Sequence, residues 1–231
     1  MPYLQAGYFL IASRPYALPG EAALLLPTVS TCINDSFPDS WALSWSGKSD
    51  EQLARLQADY GIDAVRLAAI QRWGDAALGQ PPAAFGWPNV LSSIEVARSF
   101  YHDFLSPLPL RLIGLFLPED QLEIALATLR PQHPQEGECG LYQMLARQLS
   151  EPAAGEVLGF EIMGLEIGGS LHSFYCNHLQ QDYHRLGIAF NRHHLIAGAD
   201  DARRALEFTL DEETHAEPVP WLSFRLLEFA L

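Results

Sequence analysis

The sequence predicts an α+β fold, in which N-terminal, central and C-terminal strands share one mixed or antiparallel sheet packed with several helices. Two observations carry this. Tyr3 to Ala12 and Leu222 to Leu231 are apolar on both alternating faces, the pattern of strands covered on both sides. Between them strand and helix signals alternate irregularly, without the regular strand–helix–strand order of a parallel sheet. If the two ends of the chain meet in one sheet, residues 1–231 form a single unit, with 49–106 as a helical subdomain inserted between strands.

In order, Tyr3 to Ala12 is an interior strand. From Pro15 to Ser46 the signals conflict, because Pro15, Pro19, Pro27 and Pro38 break short apolar runs and only Trp41-Leu43-Trp45 alternates. Ser49-Asp50-Glu51-Gln52 has the form of a capping box opening a helix from Leu53 to Tyr60. Asp63 caps the next helix, whose stripe is Ile62, Val65, Ala69, Trp73 and Ala77, and Gly79-Gln80-Pro81-Pro82 stops it. Pro88-Asn89 precedes a third stripe, Val90, Ile94, Ala97, Tyr101 and Phe104, ending at Ser106-Pro107. Leu110 to Leu117 reads as a strand leading through Pro118-Glu119-Asp120 into a helix with Leu122, Leu126 and Leu129 inward. Leu141 to Leu149 is a short helix. Val157 to Ile167 is a strand interrupted by Gly159 and Gly164, and Gly168-Gly169-Ser170 turns it into a helix from Leu171 to about Arg185. Asp200 or Asp201 starts a helix through Phe208, and Pro220-Trp221 introduces the closing strand.

Composition removes whole classes of function. The 14 Lys+Arg against 28 Asp+Glu give a formal net charge of −14, which a phosphate backbone or an anionic membrane surface would repel. A 48% hydrophobic content is that of a folded chain. No secretory signal or membrane-length apolar run stands out, and Cys32, Cys139 and Cys176 form no C-x-x-C pair, so a cytoplasmic location is expected, without disulfides or a zinc knuckle.

Motifs for catalysis fail one by one. If Leu171 to Arg185 is helical, His172, His178 and His184 point about 120° apart and cannot share an ion. The pairs His172 with Cys176 and His178 with Asp182 supply two ligands each, short of a zinc site, and no metal or cofactor is expected. Gly164 to Ser170 lacks the phosphate-loop lysine, Ser170 standing in its place beside Glu166. No G-x-S-x-G elbow occurs, and the single lysine, Lys48, has Ser46 where a nuclease D/E-x-K motif needs an acid. No catalytic residues are assigned. Glu161 and Glu166 are scattered carboxylates expected to face outward or be hydrogen-bonded. A hydrolase drawing on the histidines and carboxylates of 161–194 stays as the alternative reading.

Charge is distributed unevenly. Residues 1–115 carry ten acids and seven bases, whereas 116–231 carry eighteen acids and seven bases, so −11 of the −14 lies in the second half. The acids are densest at Asp211-Glu212-Glu213 with Glu217 following, after Asp200-Asp201 and Glu207. Such a run is either a solvated face or a docking surface for a basic partner.

The stretch Leu158-Gly159-Phe160-Glu161-Ile162 through Ser173-Phe174-Tyr175-Cys176-Asn177-His178, continuing to Leu186-Gly187-Ile188 and Asn191 to Asp201, resembles small cytoplasmic bacterial immunity proteins encoded beside toxins of type VI secretion and other polymorphic toxin systems. The resemblance spans mainly residues 157–231. It implies a non-enzymatic inhibitor that blocks one cognate toxin. Together with the charge, it points to a basic nuclease effector as partner, met by Asp200, Asp201, Asp211, Glu212, Glu213 and Glu217.

Overall fold

The computed structural model describes residues 2–17, 23–37, 50–78, 90–131, 138–165, 171–211 and 213–231. The elements are β1 (Tyr3–Ala12), β2 (Pro15–Tyr16), β3 (Leu24–Leu25), β4 (Asp35–Phe37), α1 (Asp50–Tyr60), α2 (Ala64–Leu78), α3 (Ile94–Phe100), β5 (Arg111–Pro118), α4 (Leu122–Leu129), α5 (Gly140–Ala146), β6 (Glu156–Leu165), β7 (Leu171–Ser173), α6 (Gln180–Arg185), α7 (Ala199–Thr209) and β8 (Trp221–Phe229). A π-helical turn, Tyr101–Leu105, prolongs α3, and a 3₁₀ turn, Glu119–Gln121, precedes α4. The fold is α+β. Its sheet is six-stranded and antiparallel throughout, in the order β4-β1-β5-β8-β6-β7, so the two ends of the chain are separated only by β5. β2 and β3 form a separate ribbon.

Alternation along β8 shows how one sheet serves three cores. Leu222, Phe224 and Leu226 join Ile113 and Leu115 of β5 and Leu129, Leu141 and Met144 from α4 and α5. Residues of the opposite parity divide. Leu227 and Phe229 pack with Tyr8, Leu10, Phe116 and the helical residues Leu56, Leu67, Ile70 and Phe100, whereas Trp221 joins Phe160, Ile162, Phe174, Tyr183 and Ala205. Between these groups Arg225 reaches Glu151 at 3.0 Å and lies 5.1 Å from the centroid of the Tyr3 ring.

Two glycines bend the long strands. Gly7 (φ +139°) and Gly159 (φ +140°) sit at register shifts in β1 and β6, in backbone conformations that side chains rarely adopt. A Cβ on Gly159 would lie 2.6 Å from Asn191 Nδ2 and 2.9 Å from the Ile196 carbonyl oxygen. Beside each bulge an outside segment docks by a reciprocal pair of backbone hydrogen bonds, Tyr8 with Leu91 and Phe160 with Ile196. The outer rim of β1 is further closed where Gln5 N–H donates to Leu149 C=O and Glu151 N–H to Tyr3 C=O.

Three expectations need correction. Leu171 to Arg185 is not one helix. Leu171–Ser173 pairs with Leu165–Met163 as β7, residues 174–179 turn with His178 at φ 57°, and only Gln180–Arg185 is helical. Ser173 Oγ accepting the Tyr175 N–H fixes that turn. The stripe of α2 is also different: Val65 is 77% exposed, while Leu67 and Ile70 are buried and Trp73 stacks 4.5 Å from Phe100. Ile62 precedes the helix and Asp63 caps it, accepting from Arg66 N–H, so the face is chosen by the aromatic side of α3. Val90 likewise lies before α3, whose N-cap is Ser93. The Trp41-Leu43-Trp45 alternation, Ser49, Gly79 to Asn89 and residues 166–170 fall outside the described residues.

Candidate functional site

The acidic residues singled out in the sequence occupy α7 and the turn that leads to β8. Asp200, 91% exposed at its side chain, lies 3.2 Å from Arg203 in the next turn. Asp201 accepts the Ala189 N–H and holds Arg204 at 2.8 Å, while Arg204 donates to the Leu186 carbonyl, so this pair clamps the 186–189 turn onto α7. Asp211 accepts the Glu213 N–H. Asp211 and Glu213 are exposed, Glu207 lies on the same helix as Asp200, and Leu210 among them is 57% exposed. Glu212 lies outside the described residues.

Glu217 belongs to a different neighbourhood. Its N–H donates to Asn177 Oδ1, its carbonyl accepts from Trp221 Nε1, and its Oε2 lies 3.5 Å from His172 Nδ1. The same Nδ1 is 3.9 Å from Cys32 Sγ, and Cys176 Sγ is 3.7 Å from Ser30 Oγ. Residues 26–34 thus cross over β7 and the turn behind it. Asn34 closes the segment on itself, its Nδ2 donating to the Leu26 and Thr28 carbonyls. Cys32 is exposed and Cys176 half-buried. A hydrogen bond from the Cys176 thiol pulls the Cys32 thiol down to about 6, with His172 and Ser30 adding to the effect against burial. The same bond, reinforced by burial, pushes Cys176 up. Cys139 is elsewhere, buried at the start of α5 with its sulfur accepting from Tyr142 N–H, and its thiol is raised by burial.

Behind this cluster is Glu161. Contrary to the expectation of an outward or hydrogen-bonded carboxylate, it is fully buried, and neither oxygen has a hydrogen bond of acceptable geometry. It lies opposite Phe224 on the core side of the sheet, and burial raises it to about 7, only partly offset by the Ser173 and Thr28 hydroxyls. Glu166 lies outside the described residues, so the pairing of the two is not described.

His172, His178 and His184 sit on β7, in the turn and on α6 respectively; the helical premise fails. Among the described residues no three His, Cys, Asp or Glu side chains form a group able to hold a metal ion. Asp182 neighbours Arg185 and His215. A cleft of ≈ 580 Å³ at the far end of the sheet is lined by Arg98, Arg111, Glu156 and Glu228. Its Arg111 and Glu228 form a two-pronged ion pair, at 2.8 and 2.7 Å, that neutralises them within the wall. Among the described residues no helix is long and apolar enough to cross a membrane.

Sequence reasoning missed Cys32. The alternation of Thr28, Ser30 and Cys32 in a Pro-broken stretch was its only local sign; its partners lie about 140 residues away and are brought in by the topology. No protein-family model, curated protein or solved structure matches the chain.

Proposed function

We propose that the protein is a cytoplasmic immunity protein that neutralises a cognate secreted antibacterial toxin, a basic nuclease effector, by occluding it with the acidic face of α7 and the turn that follows. The observation that supports this is the density of carboxylate there. Residues 199–217 hold seven acids and two arginines, a net of −5, and Asp200, Glu207, Asp211 and Glu213 are exposed. A surface shaped to hold phosphates is basic, and an acidic face competes for it, steering the encounter and setting its orientation. Exposed Leu210 amid the acids offers an apolar contact of the kind that interface centres need.

The alternative, a hydrolase built on the histidines and carboxylates of 161–194, draws support from His172 beside Cys32. The geometry favours it less. A nucleophile and an orienting acid must use different nitrogens of the base, whereas Cys32 and Glu217 both face Nδ1. Glu161, with no exposed surface, cannot reach a substrate without rearrangement.

The test is co-expression with the toxin encoded beside this chain's gene, which should restore growth and yield a copurifying complex; neither rescue nor binding would overturn the proposal. Reversing Asp211 and Glu213 to lysine should slow association by about tenfold at low salt and less at physiological salt. Unchanged rates would move the interface off this face.

A further inference from the structure

The cluster joining residues 26–34 to the β7 turn meets the acidic segment only at Glu217 and has a thiol and imidazole chemistry of its own. Three features coincide in it. Two thiols distant in sequence, one exposed and one half-buried, lie where two segments meet, Cys176 against Ser30, two residues before Cys32, and Cys32 against His172 of the strand that leads to Cys176. A ring nitrogen, His172 Nδ1, lies 3.9 Å from the exposed sulfur and 3.5 Å from Glu217 Oε2, so a proton carried there faces both acceptors. The Ser30 hydroxyl, 3.7 Å from Cys176 Sγ, is a further polar contact to the second sulfur.

We propose that Cys32 and Cys176 form a dithiol modification site, at which Cys32 is the nucleophile oxidised by a hydroperoxide and Cys176 resolves it to a reversible disulfide. In the first step the Cys32 sulfur attacks one peroxide oxygen. An S–O bond forms, the O–O bond breaks, and the leaving alkoxide or hydroxide takes a proton to become an alcohol or water. Cys32 is thereby oxidised by two electrons to the sulfenic acid while the peroxide is reduced. In the second step Cys176 attacks the Cys32 sulfur; the S–S bond forms, the S–O bond breaks, and the departing hydroxide leaves as water with the Cys176 proton. A small thiol reverses the reaction by exchange. The product ties residues 26–34 covalently to the turn that carries Cys176, next to Glu217.

The experiment treats the native chain with hydrogen peroxide and maps peptides without reduction. Expected are an intact-mass loss of two hydrogens, a peptide cross-linked through Cys32 and Cys176, and an unmodified Cys139, which serves as the internal control. Cys176→Ser should leave a Cys32 sulfenic acid that dimedone traps, and Cys32→Ser should abolish both products. A second measurement needs no variant. At pH 6 iodoacetamide should label Cys32 about tenfold faster than glutathione, since its larger thiolate fraction outweighs its lower intrinsic nucleophilicity. Groups facing the sulfur in that titration are Cys176, His172, Ser30 and Glu217. Labelling no faster than glutathione, or oxidation without a Cys32–Cys176 cross-link, overturns the proposal. Neither result bears on toxin binding.

Discussion

Glu161 is a carboxylate kept from water, and its cost depends on pH. In the unfolded chain it ionises near the ordinary carboxylate value, whereas in the fold burial holds it protonated up to about 7. Between about pH 4.5 and 7 the unfolded state alone gains from losing the proton, so stability falls as pH rises through that window and levels off above it, by about 3 kcal/mol in all. Glu161→Gln should flatten this dependence and be the more stable protein at pH 8. Urea midpoints at pH 5.5 and 8 check it, and equal pH slopes in the two proteins would refute the burial argument. Glu228 behaves oppositely. Its ion pair with Arg111 lowers its pKa, so its contribution is present above the usual carboxylate range and is lost as pH falls through the lowered value. Of these residue-scale features the sequence showed the charges but not their surroundings. Glu161 reads the same whether it faces water or Phe224, and only the register of β6 on β8 decides.

At the scale of elements, the bulge in β6 is the most exacting feature. Gly159→Ala forces a positive φ on a side-chain residue and drives its Cβ against Asn191 and the Ile196 carbonyl, where backbone cannot retreat. A loss of about 2–4 kcal/mol in denaturant titration is expected, with the 191–196 segment losing amide protection first. A loss below about 0.5 kcal/mol would mean that the bulge relaxes easily. β1, β5, β6 and β8 were legible because strands buried on both faces are nearly continuous apolar runs, and α7 because its acids open a periodic stripe. β7 was not. Leu171, His172 and Ser173 are too few to display a period, and the aromatic run after them suits a helix until the Ser173 turn is considered. In α2 the periodicity was real, but two apolar stripes competed and the aromatic wall of Phe100 and Phe104 chose between them.

For the molecule as a whole, the formal charge of −14 makes copies of the chain repel one another. As pH approaches the sequence pI of 4.8 that charge vanishes, and self-repulsion with it. Light scattering should therefore show association rising near pH 5, where relief at Glu161 makes the fold itself more stable; rising dispersion toward pH 5 would contradict this. The acidic half of the candidate surface was legible from composition alone. The thiol cluster was not, because it is made by topology: residues 26–34 come to lie over a turn that the chain forms only after β6.

The closed rim of β1 has a temporal side. Leu91 and the 149–151 segment, which satisfy its outer backbone groups, are synthesised long after β1 itself. At roughly 5–20 residues per second, about 4–16 s pass between β1 and Leu91 and about 7–28 s between β1 and the 149–151 segment. For that interval the nascent chain carries a ten-residue apolar strand with open hydrogen-bonding groups. Its need for chaperones is thus concentrated in the first two-thirds of translation, and slow translation beyond residue 118 would prolong that exposure.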